Sequence, residues 1–474
     1  MAYSMPLTTA ICYTSPDASS FSKPKHTILI YGATSYTARL LIDYLATHPE
    51  RKQFTFALAG RNPEKLKKLV DELHRANEDG EEGRTEWIAC ALEDTEEGYP
   101  KVAAMVSDAE VVINLAGPYS SHNAELLEHF YLIFTANADH NIAFHLQGET
   151  FWIKEMIEKY DFLASKTHAI IVPSCGFDSI PSDILAYQSA LHLSRLNGSN
   201  NAEIESSQTF FNAKGGVSGG TIASFKAMTE VEPYRIKRAM GEFALVPAGA
   251  SRGVSSIGLR PYYSSPLIPA HGSFFVMGPV NTAIVRRSWS LFRSQQQLAT
   301  QGSAKVVTYG DKFTYSESQV FDKRGGLGSR VTAWVVGLIL TISLATLMKS
   351  RILQAIFFRV APQPGSGPSE KTLRGGWLEG TNVSKASGNV VVSTFKGQGD
   401  PGYWLTSRML VESALSLTLS HRQLSPLAQQ GGVLTPAAAF GGVLTERLNS
   451  RDEFEIETMT LAEWREKKEG KKNI

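Results

Sequence analysis

From residue 26 to about 185, short apolar runs rich in β-branched residues alternate with longer stretches whose apolar positions recur every three or four residues. The runs at 27–31 (TILIY), 54–59 (FTFALA), 86–92 (EWIACAL), 110–116 (EVVINLA) and 169–173 (AIIVP) predict strands. Between the second and third, NPEKLKKLVDELHRA predicts a helix: Asn62 can cap it, Pro63 fits its first turn, and Leu66, Leu69, Val70 and Leu73 share one face. Strands separated by helices in this way imply βαβ units around a parallel sheet. The expected fold class is therefore α/β, a doubly wound parallel sheet. The acidic, glycine-containing stretch 78–83 reads as a solvated loop.

After about 185 the pattern changes to segments interrupted by Ser, Gly and Pro, with strand-like runs such as SSQTFFNA and GNVVVSTFKG. A second, mixed α/β domain is expected there. Near the end, PGYWLTSRMLVESALSLTL (401–419) returns to a helical period, and the terminal EWREKKEGKKNI reads as charged and frayed. The expected organisation is a flexible extension (1–25), a dinucleotide-binding domain (26–185) and a second substrate or dimerisation domain (186–397). A helical return onto the first domain (398–450) and a charged tail (451–474) complete it. No internal repeat is visible.

One segment bears on localisation. Residues 331–348 (VTAWVVGLILTISLATLM) carry no charge and lie between Arg330 and Lys349. As a helix they extend roughly 27 Å, close to the hydrocarbon core of about 30 Å. The following RILQAIFFRV, bounded by Arg351 and Arg359, has an amphipathic pattern. Two readings stand: contact with a membrane or lipid-droplet surface, or a buried helix lining a substrate channel. The first 24 residues lack a basic start and a continuous apolar run, so no secretory signal is expected there and a cytoplasmic location is.

Composition narrows the function. The 474 residues are 43% hydrophobic, enough for two or three domains, and 47 Lys and Arg balance 46 Asp and Glu, which argues against a nucleic-acid partner. Cys12, Cys90 and Cys175 are too scattered for a disulfide framework or a zinc site, so free thiols are expected. His140 and His145 lack a third ligand, and no metal is expected. The absence of a Gly-x-Ser-x-Gly elbow and of a P-loop lysine argues against hydrolase and NTPase chemistry.

The junction YGATSYTARL, after the first strand, is the candidate phosphate cradle. A dinucleotide-binding turn uses one glycine for the tight turn, one for backbone approach to the pyrophosphate and one for helix packing. Here these places hold Gly32, Ser35 and Ala38. Gly32 supplies the turn, Ala38 adds only a methyl, and the Ser35 hydroxyl can donate to a phosphate oxygen beside the amides of Thr34, Tyr36 and Thr37. The second strand ends in AGRNP, where Arg61 stands in place of the acid that holds a ribose 2′-OH. An arginine there suits a 2′-phosphate, so NADP is expected, with NAD as the alternative; a plain surface arginine is the other reading. Ala116, Gly117 and Pro118, closing the fourth strand, let a ring or ribose pass near backbone.

The blocks YGATSYTARL, AGRNPEKL, VVINLAGPYS, Gly148–Glu149, PSCGFDSIPSD, GGVSGGTIAS and GQGDPGYWLTSRMLVESAL occur in an order and spacing that resemble the saccharopine dehydrogenase-like oxidoreductases. Within that group the chain resembles the branch of trans-acting enoyl reductases, over residues 26–450. The resemblance implies a Rossmann domain closed by a C-terminal helix, a second α/β domain, and NADP or NAD as hydride carrier. The chain departs from the branch at Ser35 and Ala38, where glycine is usual, and at Ala143 and His145, where the branch carries Tyr and Asp.

Reduction of C=C or C=O needs a hydride, a proton donor and a group that steadies the developing charge. CGFDSIPSD follows the strand at 169–173, at the edge where a parallel sheet places its ligand crevice. Asp178 can orient a donor, Ser179 or Ser182 can meet an oxyanion and Cys175 can line the pocket; for Asp178 and Asp183, helix capping is the competing role. Tyr119 is a candidate acid, or a packing residue. GGVSGGTIAS approaches substrate or cofactor closely, or only shapes a turn before a helix capped by Thr221. The expected activity is an NADP-dependent enoyl reductase acting on a lipophilic acyl, polyketide or terpenoid-type substrate, in free or carrier-bound form, with a homodimer as a further expectation. A saccharopine or amino-acid dehydrogenase and a non-catalytic lipid-surface protein are the alternatives.

Overall fold

The computed structural model describes residues 25–76, 85–91, 98–117, 142–145, 149–247, 250, 253–256, 260–298, 306–321, 326–363 and 366–470. The chain opens with β1 (His26–Tyr31), α1 (Tyr36–Ala46), β2 (Phe56–Gly60), α2 (Pro63–Ala76), β3 (Thr85–Ala89), α3 (Gly98–Ser107) and β4 (Ala109–Asn114). It continues with β5 (Ile142–His145), α4 (Thr150–Thr167), β6 (Ile170–Val172) and α5 (Ile180–Leu196). These strands form a parallel sheet in the order β3-β2-β1-β4-β5-β6, the Rossmann order that reverses direction between β1 and β4.

Local sequence accounts for these elements. β1 and β2 are buried along nearly their whole length, as strands covered by helices on both faces must be. In α2 the Asn62 side chain accepts the Lys65 amide at 2.9 Å, and Leu66, Leu69, Val70 and Leu73 are all buried. Each such burial is worth about 1.5–3 kcal/mol.

The second half builds a mixed sheet from β7 (Ile204–Lys214), β8 (Tyr262–Ser264), β9 (His271–Ser273), β10 (Tyr315–Gln319), β11 (Trp377–Ala386) and β12 (Asn389–Gln398), with β14 (Phe454–Thr460) at one edge. Its order is β14-β12-β11-β7-β10-β9-β8; only β7 and β10 run parallel. Helices α6 (Gly219–Glu230), α7 (Gly278–Leu298), α8 (Gly326–Lys349) and α9 (Arg351–Val360) lie between these strands in the chain.

A π-helical turn (Pro401–Leu405) leads into α10 (Thr406–Leu419), which packs on α1 and on β4. The two-residue strand β13 (Gly432–Val433) then joins the first sheet beside β6, and α11 (Pro436–Asn449) packs on α5 and α10. This return is fixed by Glu412 in α10, fully buried, which accepts from Tyr44 Oη at 2.7 Å and from Arg447 Nε at 2.9 Å and lies 2.9 Å from His48 Nε2.

Three expectations are corrected. The first sheet has two strands, β5 and β13, that no apolar run announced. The charged tail (451–474) instead supplies β14, and α12 (Leu461–Gly470), anchored by buried Trp464, runs through most of the stretch read as frayed. The helix after 218 is capped by Ser218, whose hydroxyl accepts the Thr221 amide at 3.3 Å, and not by Thr221.

Candidate active site

All strands of the first sheet end on one edge. Tyr31 pairs with Ala59 and Asn114, Asn114 with His145, and Phe144 with Val172, so the turns after β1, β2, β4 and β6 share a rim. At a strand spacing of about 4.8 Å, the β1 and β6 ends stand about 14 Å apart along it.

The turn after β1 is a tight cradle. Gly32 has φ +78°, and a Cβ built on it would stand 2.8 Å from the Ala116 nitrogen. Asn114, buried at the end of β4, accepts that Ala116 amide at 3.0 Å and so fixes the loop that closes on Gly32. Ser35 is the N-cap of α1 and accepts the Ala38 amide at 3.3 Å, and its own O–H has no acceptor among the described residues. Ala38 is fully buried where helix meets sheet. The amides of Tyr36 and Thr37 occupy the first helical positions, which have no intrahelical acceptor, and no acid stands in that turn. Thr34, Gly117 and Arg61 are exposed, Thr37 and Ala116 half-buried. This set fits a diphosphate: a glycine-tight turn, first-turn amides, the Ser35 hydroxyl and the exposed Arg61 at the end of the adjacent strand.

The Tyr36 side chain is committed elsewhere. Its ring meets Tyr403 edge-on at 5.5 Å between centroids, and its hydroxyl donates to the Pro368 carbonyl at 2.7 Å. Gly216 also abuts Pro368, and Asp400 accepts the amides of Gly216 at 2.5 Å and Tyr403 at 2.9 Å. The glycines of 215–220 thus give close packing against the 366–368 and 400–403 segments.

The second candidate cluster follows β6. Ser174 holds φ +63° in a buried turn, and the Phe177 amide donates to Thr406 Oγ1 at 3.0 Å, which pins the turn to α10. Asp178 is half-buried, no hydrogen bond to its carboxylate occurs among the described residues, and burial raises its pKa to about 6. Ser179, one residue on, is fully buried and donates to Asn281 Oδ1 at 3.1 Å. Ser182 donates to Glu317 Oε2 at 2.8 Å, and Asn281 Nδ2 donates to the same carboxylate at 2.7 Å. Cys175 is buried with its thiol on the Val172 carbonyl.

Asp183 accepts the Ala437 amide at 2.7 Å and the Ser288 hydroxyl at 2.5 Å, so it caps α11 rather than its own helix. Burial raises its pKa to about 7 despite these bonds.

The rim therefore gathers Gly32, Thr34, Ser35, Thr37, Arg61, Ala116, Gly117 and Asp178, while the hydroxyls of Ser179 and Ser182 turn into the interior. Pro118, Tyr119, His140 and Gly148, and the side chains of Ala143 and His145, lie outside the described residues. No group of three metal-ligating side chains occurs among the described residues. Asn114 and Thr406, which position the two turns, were not singled out from sequence; both stand inside blocks that carried the family resemblance.

No family model matches the chain. It is similar to the trans-acting enoyl reductase of Mycobacterium ulcerans (strain Agy99), with 31% identity over 436 residues, covering 89% of this chain and 95% of the relative. The trans-acting enoyl reductase of Mycobacterium tuberculosis (strain ATCC 25618 / H37Rv) is 31% identical over 437 residues, with the same shares covered. Among solved structures, the apo saccharopine dehydrogenase (L-Glu forming) of Saccharomyces cerevisiae aligns with 92% of this chain and 99% of its own, at 11% identity and a TM-score of 0.45.

Proposed function

This chain belongs to the trans-acting enoyl reductase family, and we propose from that premise that it reduces the C=C bond of a lipophilic enoyl substrate with NADPH. The observation that carries the reading is the rim itself, with a diphosphate-shaped turn at Gly32 and a carboxyl without a described partner at Asp178, three strands away.

Gly32, Ser35 and the amides of Tyr36 and Thr37 would hold the diphosphate, and Arg61 the ribose 2′-phosphate. Nicotinamide, when bound, supplies the hydride that adds to the electron-poor carbon of the enoyl group. Asp178, poised near neutrality by burial, holds the proton that the neighbouring carbon requires, and so balances the addition of H⁻ and H⁺ across the double bond. Asn114 fixes the Ala116 backbone and Thr406 fixes the Phe177 amide, so both turns keep their geometry without rearrangement. A substrate carrying free carboxylates would want arginines aimed at the crevice. The fully buried Arg286 and Arg287 are held by Glu242 and Asp161, so neither is available to clamp one.

The test is transfer of label: the protein, a long-chain trans-2-enoyl thioester and NADPH deuterated at C4 of the nicotinamide. One deuterium in the saturated product is expected; a saturated product without deuterium, or no product with any enoyl chain length, overturns the reading.

A further inference from the structure

We infer that the α8–α9 hairpin is a docking surface for one leaflet of an anionic phospholipid membrane, on which it lies in the interface plane without crossing. The inference is independent of the proposed chemistry.

Helix α8 is long and apolar, yet only 11% of its most apolar window is buried. Val331, Trp334, Ile339 and Ile342, and on α9 Ile352 and Ile356, are each more than half exposed. A continuous apolar face of this size is uncommon on a protein that meets only water. Charge identifies what covers it. From 326 to 363 there is no Asp or Glu, while Arg330, Lys349, Arg351 and Arg359 are all exposed. Arg330 is held on the sheet side of α8, its Nε 3.4 Å from His271 Nε2 of β9. Lys349, Arg351 and Arg359 stand at the helix ends, where their long side chains reach headgroup phosphates while the apolar residues enter the acyl region.

The attachment of the hairpin excludes a span. Ser329, Ala333 and Gly337 are the buried face of α8, packed on β8 and β9, and a side chain at Gly337 would strike the Pro261 carbonyl. The part of α8 beyond that contact measures roughly 17 Å, against about 30 Å of hydrocarbon. The start of α9 folds back, with Gln354 Nε2 donating to the carbonyls of Leu347 at 3.0 Å and Met348 at 3.2 Å. Phe357 and Phe358 then meet Phe225 of α6, each at 6.1 Å between ring centroids. Both arms are thus tied to the second domain, and Lys349 and Arg351 at the tip would be costly at a bilayer centre. A few residues further on, Ser366 accepts the Gly219 amide and Pro368 the Tyr36 hydroxyl, so the lipid-facing hairpin adjoins the first turn of α1.

The experiment is flotation of the full chain with phosphatidylcholine vesicles, with and without phosphatidylserine, beside Ile339→Glu/Ile342→Glu and Arg351→Glu/Arg359→Glu. Wild type is expected to float with phosphatidylserine-containing vesicles, and each double variant about tenfold less, at an unchanged melting temperature. A wild type that stays in the soluble fraction, or an Ile339→Glu/Ile342→Glu variant that floats equally, overturns the inference. So does light scattering that shows a dimer in solution, dissolved by that variant with no change in flotation, since a second copy then covers the face. For orientation, Ser350→Cys on vesicles is expected to react with a membrane-impermeant maleimide added outside; reaction only with reagent trapped inside would mean a span.

Discussion

A methyl group on Gly32 would stand 2.8 Å from the backbone nitrogen of Ala116, and the Gly32 φ of +78° is one that side-chain-bearing residues rarely hold. The turn after β1 and the turn after β4 therefore share a space that only glycine leaves open. Gly32→Ala is expected to cost about 1–3 kcal/mol of stability and to weaken NADPH binding at least about tenfold, read by thermal melting and by nicotinamide fluorescence. A variant with wild-type melting and binding contradicts the cradle.

Arg61 is exposed just after β2, with Asn62 rather than an acid beside it. Arg61→Asp is expected to remove a 2′-phosphate partner and provide a 2′-OH acceptor, lowering the NADPH to NADH affinity ratio by about tenfold or more. Parallel titrations with the two coenzymes measure it, and an unchanged ratio removes Arg61 from the site.

Asp178 gives a paired outcome. Its carboxyl is raised to about 6 by burial, above the ordinary value of 3.8, so its protonated form is favoured by folding and the associated stability, full at low pH, is lost as pH rises through about 6. Asp178→Asn is expected to raise stability at pH 7 by up to about 3 kcal/mol and to lower turnover about 10²–10⁴-fold, with loss of the limb near pH 6 in the rate profile. A structural carboxylate would lose stability instead. Asp183 is also raised by burial but holds the Ser288 hydroxyl and the Ala437 amide, and Asp183→Ala, which removes both bonds, is the control in which stability falls.

Glu412 shows the opposite sign. Burial pushes its carboxyl up, but the bonds from His48 and Tyr44 and the charges of Arg447 and Arg451 hold it below the ordinary value. Its contribution is present at neutral pH and is lost as pH falls through that lowered value. Glu412→Ala is expected to cost about 3–5 kcal/mol in urea unfolding at pH 7, because Arg447 and His48 lose a buried partner. A loss below about 1 kcal/mol would place the closure of α10 on α1 in apolar packing alone.

Much of this was legible in the chain. Apolar runs located β1, β2, β3, β4 and β6, and Asn62 with Pro63 located the start of α2, because each depends on neighbours close in sequence. β13 escaped since two residues hold no period; Gly432–Val433 is a strand only because it lies beside β6. Site residues divide in the same way. Gly32 and Ser35 were readable from a local turn, whereas Ser179 turns inward because Asn281, 102 positions away, accepts its hydroxyl. Asp183 finds its partner at Ala437 across 254 positions, which no local pattern encodes. The hydropathy of α8 was plain, but which side β8 and β9 would cover was not.

Binding of NADPH at the Gly32 rim is read by a fluorescence titration of the protein with NADPH and then with NADH. Saturable enhancement with NADPH, tighter than with NADH, is expected. No saturable change with either coenzyme would mean that the rim is not a dinucleotide site.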